Sequence, residues 1–79
     1  MNVYRYSDGF GITGDEIELC VLGRVLEAVK LDPYWNDEGD QLLLDDDNHP
    51  QDKIASFLKA YFELRNLNYE ITWDCDRNP

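Results

Sequence analysis

The sequence predicts a single α+β domain, a small two-layer sandwich in which two helices cover a short, mostly antiparallel sheet. Three observations predict it. Apolar and polar residues alternate near both ends of the chain, over Val3–Ser7 and Tyr69–Asp76, as half-buried strands require. Two segments, about 14–30 and 50–66, repeat apolar residues at helical spacing. Between them Gln41-Leu42-Leu43-Leu44 is a short apolar run that reads as a central strand. That order of elements fits one helix layer on one sheet layer. With 79 residues, of which 43% are hydrophobic and 13% aromatic, the chain has material for one core and does not read as disordered.

The elements follow in order. Val3-Tyr4-Arg5-Tyr6-Ser7 alternates as a strand, Asp8-Gly9 suits a two-residue hairpin turn, and Phe10-Gly11-Ile12 returns. Tyr4 and Tyr6 point to one face. Thr13 and Glu16 stand at capping-box spacing and predict the start of the first helix. Its predicted buried stripe is Ile17, Cys20, Val21, Val25, Ala28 and Val29, widened by Leu22 and Leu26; Lys30 falls in the last turn and Pro33 stops it. A strand over 17–22 is the alternative. Asn48 is a good N-cap for the second helix, with Pro50 in its first turn. Ile54, Phe57, Leu58, Tyr61, Phe62, Leu64 and Arg65 give that helix its pattern. In the last strand Tyr69, Ile71, Trp73 and Cys75 face inward. Glu70, Thr72, Asp74 and Asp76 face outward, about 6.8 Å apart along the strand.

Charge bears on partners rather than fold. Seventeen acidic residues face seven basic ones, a net charge of −10. Such a chain repels nucleic acid and anionic membranes, both of which bind through Lys and Arg. The expected partner is a basic protein surface, with neither direct nucleic acid nor a membrane as partner; an open sheet edge leaves room for a homodimer. There is no apolar run of membrane-spanning length and no signal-peptide pattern, so the sequence predicts a cytosolic protein. Cys20 and Cys75 are expected as thiols there, pairing only if the fold juxtaposes them.

Common catalytic constellations are missing, and no enzyme activity or cofactor is expected. His49 is the sole histidine, no phosphate-binding glycine loop exists, and one His with two Cys is too few for zinc. A calcium loop opening at Asp45 would need Gly and Glu where Pro50 and Ser56 stand.

The candidate site is therefore a binding surface. The span from Leu31 to Asp52 holds eight acids and no Lys or Arg. Within it Tyr34 and Trp35 read as loop aromatics, the residue types that anchor interfaces. The predicted partner-binding residues are Tyr34, Trp35, Asp37, Glu38, Asp40, Asp45, Asp46, Asp47, Glu70, Asp74 and Asp76. In size and charge the chain is similar to small acidic phage-encoded anti-CRISPR and anti-restriction proteins. That resemblance implies an inhibitor occupying a nucleic-acid channel as a mimic. It is also similar to bacterial immunity proteins that neutralise a basic nuclease toxin, which is the alternative reading. A non-catalytic accessory subunit, its acidity only solubilising, is the third expectation.

Overall fold

The computed structural model describes residues 1–45 and 49–72. Strands β1 (Asn2–Tyr6) and β2 (Gly9–Thr13) form the expected hairpin. Tyr6 pairs with Gly9, so the turn is Ser7-Asp8, one residue earlier than the Asp8-Gly9 turn predicted. Gly9 is drawn into the ladder because strand β4 (Leu42–Asp45) lies directly beside it. A Cβ on Gly9 would sit 1.9 Å from the Leu44 carbonyl oxygen. Only glycine fits there.

With β3 (Tyr34–Trp35) and β5 (Glu70–Thr72), the five strands run in the order β3-β4-β2-β1-β5. All pairings are antiparallel except β1 with β5. β3 corrects the sequence reading, which had placed Tyr34 and Trp35 on a loop. Two residues are too few to leave a periodic signal, and they are held extended by pairing with Leu43 and Leu42.

Helix α1 (Glu16–Ala28) is capped by Asp15, whose carboxylate accepts from the Glu18 N–H at 3.2 Å. The expected cap, Thr13, is instead committed to β2 opposite Asn2. The buried stripe is also corrected: Leu19, Leu22, Gly23 and Leu26 face the sheet. Ile17 is 73% exposed, and Cys20, Ala28 and Val29 are exposed as well. The helix is apolar around much of its circumference, so periodicity alone did not choose the face. The longer leucines took the core.

Helix α2 (Gln51–Leu64) has Pro50 at its N-cap and no side-chain cap, so Pro50 stands outside the first turn; Asn48 lies outside the described residues. The helix is tied to β1 by Gln51, which accepts from Arg5 Nε and donates to the Tyr6 carbonyl. Ile54, Ala55, Leu58, Tyr61 and Phe62 are buried, whereas Leu64, placed in the predicted stripe, is exposed. Both helices end alike. Lys30 (φ 65°) and Asn66 (φ 59°) turn left-handed. The Lys30 and Leu31 N–H groups donate to Glu27 and Leu26, and those of Asn66 and Leu67 to Glu63 and Phe62. This Schellman pattern satisfies the last carbonyls and folds Leu31 and Leu67 back onto the core.

Both helices cover one face of the sheet. Val3, Phe10, Ile12, Leu42 and Leu44 point into that core, with Ile71 at its border. Burying a side chain of this kind contributes roughly 1.5–3 kcal/mol. The register puts Tyr34, Leu43, Gly11, Tyr4 and Thr72 in one row across the opposite face.

Candidate functional site

The loop from Asn36 to Gln41 joins β3 to β4 and carries three of the predicted acids. Asn36-Asp37-Glu38-Gly39 closes as a turn, with the Gly39 N–H donating to the Asn36 carbonyl at 3.0 Å. Gly39 has φ 72°, a conformation that glycine adopts without penalty. The Asn36 side chain organises everything after it. Its Oδ1 accepts from the Asp40 and Gln41 N–H groups, both at 3.0 Å, and its Nδ2 donates to Asp40 at 2.8 Å and Glu38 at 3.2 Å. Asp37, Glu38 and Asp40 have no ion-pair partner among the described residues. The Asn36 amide holds Glu38 and Asp40 in place, and all three acids are exposed.

Trp35 stands beside this loop. Its partner in the ladder is Leu42, a core residue, so the indole lies on the helix-bearing side. At the sheet edge it stays 40% exposed, on a strand rather than on a loop. It borders a cleft of about 270 Å³ lined also by Gly14, Glu16, Leu19, Gly39 and Asp40. The wall comes from the start of α1, the other side from the acidic loop.

Tyr34 projects to the opposite face, where its hydroxyl donates to Asp45 at 3.0 Å. Beside it Leu43 is only 8% exposed although it belongs to the face away from the helices. Gly11 follows in the same row. A Cβ there would press on the Gln41 amide and the Tyr6 ring, and the Gln41 Nε2 donates to the Tyr6 hydroxyl at 3.0 Å above it. The result is a sheet face of tyrosines with Asp45 at one end and Glu70 at the far edge. No strand residue on this face is a Lys or Arg among the described residues.

Of the predicted residues, the fold gathers Trp35, Asp37, Glu38 and Asp40 at one corner and joins Tyr34 to Asp45. Glu70 is on β5, at the opposite edge of five strands, roughly 19 Å away at about 4.8 Å per strand. Asp46, Asp47, Asp74 and Asp76 lie outside the described residues, as do Trp73 and Cys75. Cys20 is an exposed thiol. Two contributors escaped the sequence reading. Asn36 had a signal, an Asn followed three residues later by Gly, the ends of a type I turn. Glu16 had none, since it was read only as a helix-cap partner.

Among the described residues no group of three His, Cys, Asp or Glu side chains converges to hold a metal, and no helix is long and apolar enough to cross a membrane. No family model, no curated protein and no solved structure matches the chain.

Proposed function

We propose that this chain is a small acidic protein inhibitor that binds and blocks the basic nucleic-acid-binding surface of a bacterial defence complex or nuclease. It acts in the cytosol as a nucleic-acid mimic of the anti-CRISPR or anti-restriction type. The observation that supports this reading is the Asn36–Gln41 loop. Three carboxylates stand there without a counter-cation among the described residues, two of them hydrogen-bonded to one amide. Fixed anions lose less freedom on meeting Lys and Arg than mobile ones do, which favours binding. The attraction is the one a phosphate backbone offers to a basic groove. Inhibition by occupancy needs no catalytic step.

The test is capture by the tagged chain from phage-infected bacteria, washed at about 0.1 M and then about 1 M salt, where screening is nearly complete. An Asp37→Asn/Glu38→Gln/Asp40→Asn variant runs alongside. A basic nucleic-acid-binding partner that salt releases, duplex DNA displaces and the variant fails to hold supports the proposal. Capture of a basic toxin in its place moves the reading to an immunity protein using the same acids. A partner held at high salt and indifferent to the variant overturns the mimic and points to apolar contacts such as Ile17.

A further inference from the structure

The cleft beside Trp35 has the composition of a receptor for one cationic side chain. We infer that it receives a single arginine of the bound protein. This rests on the proposed function for the existence of a basic partner, and adds which surface anchors it and through which residue type.

Three features carry the assignment. The cleft's apolar lining comes from Leu19 and from Trp35, which is 40% exposed. Two acidic residues line it from separate elements, Glu16 on the first turn of α1 and Asp40 on the loop. Asp40 is held by Asn36 at 2.8 Å and so does not swing away into solvent. Finally, among the described residues no Lys or Arg lines the cleft, so none of them neutralises its negative potential.

The chemistry favours arginine over lysine. A guanidinium is planar and weakly hydrated, stacks on an indole, and offers paired N–H donors to carboxylates. An ammonium is a compact, strongly hydrated point charge that gives up more on leaving water to lie against an indole. The positive end of α1 opposes any cation here, and Asp15, Glu16 and Glu18 in its cap and first turn offset it. A nucleic-acid base could stack on the same indole, but its phosphates would meet Glu16, Asp40 and a chain of net charge −10.

The experiment uses the full chain, isotopically labelled, titrated with oligo-arginine, oligo-lysine of equal length and single-stranded DNA while amide and indole resonances are followed. Oligo-arginine should move the Trp35 indole N–H and the Gly14 and Gly39 amides, and bind about two- to fivefold tighter than oligo-lysine. Trp35→Leu should abolish that preference. Glu16→Gln, an exposed change that leaves the sheet edge intact, should weaken oligo-arginine by a similar factor. Shifts confined to Asp37 and Glu38, with equal affinity for both peptides, would overturn the cleft while leaving the acidic mimic standing. Binding of single-stranded DNA at the Trp35 and Gly39 resonances would overturn it too. Conversely, an Asp37→Asn/Glu38→Gln variant with unchanged affinity and salt slope, its Trp35 still shifting, would retain the cleft and overturn the mimic.

Discussion

Asn36 and Asp40 are joined twice, side chain to carboxylate at 2.8 Å and side-chain oxygen to backbone N–H at 3.0 Å. One amide therefore fixes both the course of the loop and the direction of its last acid. Asn36→Ala removes four hydrogen bonds at a partly exposed site. It should cost about 1 kcal/mol in urea unfolding and speed exchange of the Asp40 and Gln41 amides. Asn36→Asp should cost more, because it sets a carboxylate against Glu38 and Asp40. Added salt should recover part of that difference. Equal stability of all three chains would show that the loop is not organised by this side chain.

Helix α1 carries a glycine where alanine would fit, and just past its end stands a lysine where glycine would. A Cβ on Gly23 meets only Leu42 side-chain carbons, at 3.9 and 4.0 Å, an ordinary contact. Gly23→Ala should stabilise by about 0.5–1 kcal/mol. Lys30 has φ 65° just past the helix end, so Lys30→Gly should stabilise by a similar amount, about 0.5–1 kcal/mol. In a domain of this size about 1 kcal/mol raises the thermal midpoint by roughly 4–8 °C. The two sites do not touch, and their gains should add.

Gly9 and Gly11 separate backbone from side-chain constraints on one strand. Gly9→Ala drives a methyl into the Leu44 carbonyl, and neither strand can yield without breaking the ladder. The expected loss is about 2–3 kcal/mol, a large part of the stability of so small a domain. Gly11→Ala meets the end of the Gln41 side chain and the Tyr6 ring. The amide can move aside at the expense of its hydrogen bond to Tyr6, so about 1 kcal/mol is expected. Denaturant midpoints of the two variants test the order.

Two tyrosines should make the fold sensitive to alkali. Burial raises the pKa of Tyr61 above 10.0, opposed in part by Arg65 and aided by Glu18. At Tyr69 the hydrogen bond to Glu63, at 3.0 Å, is the main cause of a rise. A raised folded-state pKa means that the folded chain holds its proton while the unfolded chain has released it. The contribution is whole below pH 10 and is lost as pH climbs through the folded value. Urea midpoints between about pH 9 and 11.5 should fall, and Tyr61→Phe or Tyr69→Phe should each flatten that fall. The Tyr61 hydroxyl has no hydrogen-bond partner among the described residues. At pH 7 Tyr61→Phe should therefore be neutral or stabilise by up to about 1 kcal/mol.

Residues near in sequence were the readable ones. The hairpin, both helices and the inward Ile71 with outward Glu70 and Thr72 follow from local alternation and spacing, which report a strand or helix before anything packs against it. The α1 cap moved from Thr13 to Asp15 because the Thr13 backbone was already pairing with Asn2. That pairing is visible only once β1 and β2 are laid together.

By itself, then, the sequence determined an acidic α+β sandwich with its charges crowded between the two helices and little to neutralise them. Tertiary structure alone decided which side of α1 is buried, since the helix is apolar on more than one side and only the sheet selects among them. It also decided that Tyr34 and Trp35 form a strand, because two residues stay extended only when Leu42 and Leu43 pair with them. Most consequentially it made the cleft, bringing Gly14, Glu16 and Leu19 against Trp35, Gly39 and Asp40 across some twenty residues of chain. Local propensity extends over a few residues and carries no information about such a meeting; long-range strand pairing and burial of the leucines impose it.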